Sequence, residues 1–412
     1  MSNLAKSTLL LCITLFLPIQ SWAKMDDYKY KRALEITDKW HAILLPKDIY
    51  GKTLQNLYDI RIYGITANND TIEAPYILKA NKPKTVYSDF PFKVMNTTKK
   101  DNLHYITFKS NDPHTINNIQ LKFENANFDW HVKLQGSNDQ SNWFTIINDY
   151  RILSISNEEI EYNYTKVTFP PSEYKYFRLE IPSKEKPILK DAKLTRLDKQ
   201  NGIADTVSID HKDMVIDEKE TKTEIAIKLA DFIRTSEVEV DILNDFEYYR
   251  DITIKYIKDS VKTESDWVYQ TEILSKEKLN SLEESKFSFK STNLNNLIIT
   301  IKNDHNQRLN INKIKLICYQ HLLMARFTQD AKYYLCYGKK WESKPDYDIV
   351  NFKNQIPENI KPIPVGKEEV INIHNNRIVK PLFNKYWLWA IMFVIILLLG
   401  WSSKQLINKT KE

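Results

Sequence analysis

The chain has 412 residues, 42% of them hydrophobic, 27% charged and 12% aromatic, a composition of folded domains that excludes a disordered chain. Lys and Arg number 59 against 53 Asp and Glu, and the two signs are interleaved with no basic block carrying aromatics, so no nucleic-acid partner is expected. Only 7 glycines stand against 15 prolines, and no two glycines lie close enough to build a phosphate-cradling loop of the Rossmann or Walker kind.

Met1 to Ala23 carries one charge, Lys6, then an apolar run from Leu9 to Ile19 and Ser21-Trp22-Ala23 before Lys24. A short basic region, an apolar stretch too short to span a bilayer comfortably and small residues before the cut predict a secretory signal peptide at 1–23. Cys12 leaves with it. The exported chain then keeps Cys318 and Cys336, which either close a disulfide or stand as two separate buried thiols.

A β-rich N-terminal domain is expected over 24–112. Glu35, Asp38 and His41 are its nearest approach to an acid/base cluster, but they straddle the end of one predicted strand and the start of the next, where solvation is the simpler reading. Asp59 and Arg61 are two apart on a strand and share a face, where pairing with neighbours is favoured over contact with substrate.

From Lys24 to Pro381 long helical periodicity is scarce and period-two alternation recurs, as in Ile119-Leu121-Phe123, Trp130-Val132-Leu134, Ile252-Ile254-Tyr256 and Leu297-Ile299-Ile301. Such alternation, rich in β-branched and aromatic residues, indicates strands with one buried face and an all-β chain of sandwiches. An internal repeat strengthens this. Phe169, Tyr174, Phe177, Leu179 and Ile181 correspond to Phe289, Leu294, Leu297, Ile299 and Ile301 at a constant offset of 120. The predicted architecture is therefore a first sandwich over 113–198, a linker over 199–208, a second, diverged sandwich over 209–320, and a β-rich extension and juxtamembrane linker over 321–381.

Trp130-His131-Val132-Lys133-Leu134-Gln135-Gly136-Ser137-Asn138-Asp139, then Asn142-Trp143-Phe144-Thr145-Ile146, then Tyr176-Phe177-Arg178-Leu179-Glu180-Ile181 carry a resemblance. On these motifs the first copy resembles the discoidin or coagulation-factor C-type jelly roll of the galactose-binding-like group. The resemblance implies a tight Ser/Asp turn, a Trp packed beneath it and an aromatic-Arg-Leu strand through the core. In the second copy it is faint, since the Gly-Ser turn is lacking and Asn296-Leu297-Ile298-Ile299 stands where the Arg strand would be.

Tyr386 to Trp401 is uncharged and, with Leu382, Phe383, Ser402 and Ser403, reaches the roughly 20 residues of a bilayer-spanning helix. Tyr386, Trp387, Trp389 and Trp401 stand where an aromatic belt would lie. A transmembrane helix is expected over 382–403, and Lys404, Lys409 and Lys411 make 404–412 a cytoplasmic tail. The expected location is the cell membrane, single-pass, with the large N-terminal region outside the cytoplasm, on the periplasmic face of the inner membrane in a Gram-negative cell. Together with Ile43-Leu44-Leu45-Pro46, Leu57 to Tyr63, Ala74 to Leu78, Tyr333 to Gly338 and Pro345 to Asp348, this order is similar to the bacterial domain-of-unknown-function 3999 family. That resemblance implies architecture and topology, with no catalytic residues; Cys336 departs from it, standing where a small apolar residue is expected.

The 8 histidines are scattered, no His-x-x-x-His pair, Gly-x-Ser-x-Gly elbow or reactive-Cys signature occurs, and no dense carboxylate loop argues for calcium. No catalytic residue, metal site or cofactor is predicted. Phe128, Asp129 and Trp130 in the first copy and Tyr248, Tyr249 and Arg250 in the second combine flat apolar faces with hydrogen-bonding groups, the chemistry that stacks and grips a sugar ring. Core packing is the competing reading, because Trp130 fits the alternation with Val132 and Leu134. The expected function is a non-enzymatic, membrane-anchored envelope protein whose tandem sandwiches bind another envelope or integral-membrane protein. Glycan binding is the alternative and an unrecognised hydrolase the second alternative.

Overall fold

Alternation in the sequence becomes strand along nearly the whole chain in a computed structural model that describes residues 25–111, 114–158, 161–263, 267–357, 360–371, 392–393, 395–401 and 403. These residues divide into two compact units. One takes the chain up to His41, Lys52–Tyr76 and everything from Ala325; the other takes Ala42–Gly51 and Ile77–Met324.

The larger unit holds two sandwiches. Among the described residues, the first pairs a six-stranded antiparallel sheet in the order Glu161–Tyr164, Phe144–Ser156, Phe128–Ser137, Tyr176–Pro182, Leu103–Ser110, Phe92–Lys100 with a four-stranded one in the order Lys166–Glu173, Thr115–Phe123, Leu189–Gln200, Lys84–Phe90. Ile106, Phe108, Ile119, Val132, Leu134, Phe177 and Leu179 fill the space between them, each worth about 1.5–3 kcal/mol of burial. The sandwich thus begins near Lys84 rather than at 113. Leu103–Ser110 pairs along its whole length with Tyr176–Pro182, a partner far downstream that alternation alone does not reveal.

The motifs of the first copy hold the places their resemblance implies. Ser137 Oγ accepts from the Gln140 N–H (2.9 Å), and Asp139 Oδ1 accepts from the N–H groups of Ser141 and Asn142 (both 2.8 Å). Those bonds hold the Asp139 carboxyl well below the usual carboxylate range. Trp143 donates to the Gln140 carbonyl (2.9 Å), and the Arg178 guanidinium sits 3.9 Å from its ring. Gly136 is required because a Cβ there would come within 2.2 Å of the Tyr174 ring.

In the second sandwich the strands run Ala204–Asp210, Ile311–Tyr319, Lys222–Ile242, Lys286–Lys302, Tyr249–Lys262, Trp267–Asn280, with Val215–Glu218 added on Lys222–Ile242. The repeat is present in the pairing itself. Leu134 faces Leu179 in the first copy, and Ile254 faces Ile299 in the second, each 120 positions on. The copies differ at the corner. The Lys222–Ile242 strand continues, through register shifts, where the first copy breaks between Leu103–Ser110 and Thr115–Phe123, so the second copy forms one seven-stranded sheet. Residues 199–208 are not a linker, because Ala204–Asp210 pairs with Ile311–Tyr319.

In the smaller unit a five-stranded antiparallel sheet runs Glu368–Val370, Tyr30–Leu34, Lys332–Tyr337, Arg61–Ile65, Thr71–Glu73. The expected separate N-terminal domain and C-terminal extension are one sheet, since Tyr30–Leu34 pairs with Lys332–Tyr337. Asp59 and Arg61 are buried. Asp59 accepts from the N–H groups of Leu54 (2.9 Å) and Gly338 (3.1 Å), while Arg61 donates to the carbonyls of Tyr58, Ile60 and Ser343 and pairs with Glu73 and Glu342. Burial pushes the Asp59 carboxyl up.

One open alternative is decided and one expectation needs correcting. Cys318 and Cys336 are both free; Cys336 is buried in the smaller unit among Met25, Tyr28 and Tyr63, and Cys318 lies in the larger unit with its Sγ 3.8 Å from Thr235 Oγ1. The expected transmembrane helix over 382–403 is overturned, since among the described residues no helix is long and apolar enough to cross a membrane. α-Helix is described at residues 392–393, 395–401 and 403. The remainder of 382–403, the expected signal peptide at 1–23 and the expected tail at 404–412 lie outside the described residues.

Candidate functional site

Alternation along one strand separates the residues that the sequence groups together. On Phe128–Ser137, Phe128 and Trp130 turn inward and are 8% and 6% exposed. Their rings stack at 3.8 Å, with Phe123 edge-on to both. Asp129 points to the opposite face, where Arg151 Nε and Nη2 grip it at 2.8 and 2.6 Å. Arg151 also pairs with Glu247 of the second sandwich. The Arg151 hydrogen bonds hold the Asp129 carboxyl below its ordinary value.

The second cluster splits the same way. Tyr249 packs against Tyr162 of the first sandwich, ring centroids 5.3 Å apart. Arg250 is buried, donating to Asn303 Oδ1 (2.7 Å) and the Gln307 carbonyl (2.5 Å), and burial lowers its pKa. Tyr248 packs partly buried against its own core. Asp129, Tyr248 and Tyr249 do line one cavity of about 350 Å3, together with Arg151 and Glu247. That cavity lies at the junction of the sandwiches, and its charged groups are already paired with one another.

A cavity of about 470 Å3 opens on the inner face of the same strands, where the two sheets of the first sandwich part. Thr115–Phe123 pairs with Lys166–Glu173 as far as Gln120 opposite Lys166, Leu121 still bonds to Thr165, and Leu121 to Ala126 line the opening. Its apolar side is Phe123 and Phe128, and its polar side is Ser154, Glu161, Asn163 and Lys193. Register explains why these meet: Ser154 faces both Phe128 and Asn163, and Ser156 faces Glu161, so all project to one side. Ser154 Oγ donates to Asn163 Oδ1 (2.8 Å), which leaves the NH2 end of that amide to donate elsewhere. An aromatic wall beside an amide, a carboxylate, an ammonium and hydroxyls is equipped to stack a ring with apolar faces and to bond its hydroxyl groups.

Of the six residues predicted as a binding surface, Phe128 is the one at this opening. Glu161, Asn163 and Lys193 escape notice in the sequence; the available signal is the Glu161-Tyr162-Asn163-Tyr164 alternation, whose exposed polar side faces the opening. The Glu35, Asp38 and His41 group is no acid/base cluster, because His41 Nε2 accepts from the N–H groups of Thr37 (3.1 Å) and Asp38 (2.9 Å) to close a turn. Among the described residues no three His, Cys, Asp or Glu side chains gather as a metal ion would require.

Residues 76–191 match the F5/8 type C domain, so the chain contains a discoidin-like, galactose-binding-like domain, and every residue lining this opening except Lys193 falls within it. The wider resemblance to the 3999 family rests on the sequence landmarks alone. A search of the curated proteins finds no match. Among solved structures, the chain is similar to a glycoside hydrolase 29 family member from an unknown rumen bacterium, at 12% identity over 54% of this chain and 40% of that one, TM-score 0.18. It is also similar to the CBM32-1 and CBM32-2 domains of Clostridium perfringens ZmpB in complex with GalNAc, at 7% identity over 72% and 100%, TM-score 0.21. Discoidin II of Dictyostelium discoideum matches at 12% identity over 56% and 80%, TM-score 0.18. The chain thus spans 40% of the length of the glycoside hydrolase.

Proposed function

We propose that this is a non-enzymatic glycan-binding protein that works outside the cytoplasm and takes sugar at the inner-face opening of its first sandwich. The observation that carries the reading is the junction of Phe123 and Phe128 with Ser154, Glu161, Asn163 and Lys193 around one cavity, all but Lys193 within the residues that match the F5/8 type C domain. Export is supported by the Lys6, Leu9 to Ile19 and Ser21-Trp22-Ala23 pattern. The test is a glycan array probed with the full chain. Binding to a sugar set that Asn163→Ala weakens about tenfold, the worth of one hydrogen bond at the strong end, supports the reading. An array with no bound sugar, or binding indifferent to Asn163→Ala, would sink it.

Binding of an envelope protein is the second reading, favoured by one observation. The hairpin Tyr249–Lys262 and Trp267–Asn280 exposes Trp267, Tyr269 and Ile273 on one face and Val261 and Val268 on the other, apolar side chains of the kind that mark interaction sites. A stoichiometric partner copurified from detergent-solubilised membranes and lost with Tyr269→Glu is the expected result. Recovery of the chain alone under gentle conditions counts against this reading.

A further inference from the structure

The opening in the first sandwich is lined by Lys122, Glu124, Glu161, Asp191 and Lys193, and the balance of these charges bears on which sugar enters. The four-stranded sheet and the chain just past Phe123 bring all of them but Glu161. Register sets Asp191 opposite Lys122, and Lys193, two positions on, shares that face. Glu124 is held at the same end, its N–H donating to the Ile188 carbonyl (2.9 Å). On this side two ammoniums are matched by two carboxylates.

Glu161 stands apart from that set. It begins the outermost strand of the six-stranded sheet, opposite Ser156, and alternation puts Asn163 on its face. Its neighbours at the opening are Ser154, Ser156 and Asn163, which carry no charge. Lys166, two residues past Tyr164, leans over the Tyr87 ring instead (5.9 Å). Among the described residues Glu161 forms no ion pair, so the opening holds one carboxylate more than it holds ammoniums, and the excess lies beside Asn163. Such a group attracts a cation and repels an acidic sugar. A sugar hydroxyl could also donate to it, but an ammonium donates a charge-assisted hydrogen bond roughly twice as strong. We propose that the opening selects a sugar bearing a free amino group, with its ammonium on Glu161 and its ring against Phe123 and Phe128, an inference that rests on the sugar reading above.

Affinities of the full chain for glucosamine, galactosamine and the N-acetyl form of each are measured by ligand-observed NMR at pH 6, where a free sugar amine carries its proton. The free amines are expected to bind about fivefold tighter than the N-acetyl forms, the upper end for a solvent-exposed ion pair. High salt should shrink that preference, because it screens exposed charges. N-acetylation removes the charge and also adds an acetyl group, so Glu161→Gln, close to isosteric and at an exposed position, separates the two effects. Glu161→Gln is expected to erase the preference and Lys193→Gln to keep it. Equal or tighter binding of the N-acetyl forms, or a preference that survives Glu161→Gln, overturns the proposal; where Asn163→Ala still weakens both forms, the sugar reading stands without it. Binding by none of the four overturns it as well, and the glycan array then decides the sugar reading separately.

Discussion

Phe128 and Asp129 are neighbours in the chain and serve opposite sides of one sheet. Phe128 walls the opening proposed for sugar, while Asp129 ties Arg151 to the junction between sandwiches. In the second sandwich the buried Arg234 donates from Nε to His321 Nε2 (3.2 Å), and the pair has a pH consequence. Burial first, then the Arg234 charge, brings the His321 pKa from its ordinary 6.5 down to about 4. A base whose pKa is lowered on folding is disfavoured in its protonated form, so the stability that neutral His321 contributes is complete above about 6.5 and is lost as pH falls toward 4. The loss amounts to about 3 kcal/mol. Urea midpoints measured from pH 7 to 4 should therefore fall more steeply in the wild type than in His321→Gln, which keeps an acceptor for Arg234. Identical pH profiles would contradict this assignment.

At the scale of elements, the Tyr249–Lys262 and Trp267–Asn280 hairpin outgrows its sheet. Tyr249–Lys262 pairs with Lys286–Lys302 through Ile252 to Lys255, the Ile257 N–H still donates to Asn296 Oδ1 (2.8 Å), and from Asp259 on the strand runs beside the other arm of the hairpin. Two-stranded ribbons are marginal in isolation. Amide hydrogen exchange should therefore be fast from Asp259 to Lys262 and slow at Ile225 and Ile299 in the middle of the sheet; equal protection throughout would show the ribbon to be held by something else. The same contrast between local and distant partners decides what the sequence discloses. Trp130 to Asp139 and Tyr176 to Ile181 are legible because each is a local pattern, a strand running into a turn or a strand through the core. Strand partners are not legible. Leu103–Ser110 reads as a strand, yet its pairing with Tyr176–Pro182, and that of Tyr30–Leu34 with Lys332–Tyr337, are properties of the fold. Asn163 and Glu161 were hidden for a related reason, since polar residues alternating with tyrosines look solvent-facing until register turns them toward Phe128.

Taken whole, the chain joins a small interleaved unit to a larger one in which one sandwich is present twice, and the copies have diverged where ligand contact is proposed. Trp130 of the first stack is replaced, 120 positions on, by Arg250, which is spent on Asn303 and Gln307. The first copy is therefore the one expected to take sugar. The two faces of its Phe144–Ser156 and Glu161–Tyr164 strands give the sharpest test. With the sugar identified on the array, calorimetric affinities are measured for the full wild-type chain, for Asn163→Ala on the inner face and for Tyr249→Ala at the sandwich junction. The proposed site predicts about tenfold weaker binding for Asn163→Ala and unchanged binding for Tyr249→Ala; the reverse order, with Tyr249→Ala weakened and Asn163→Ala unaffected, would place the sugar at the junction and contradict it.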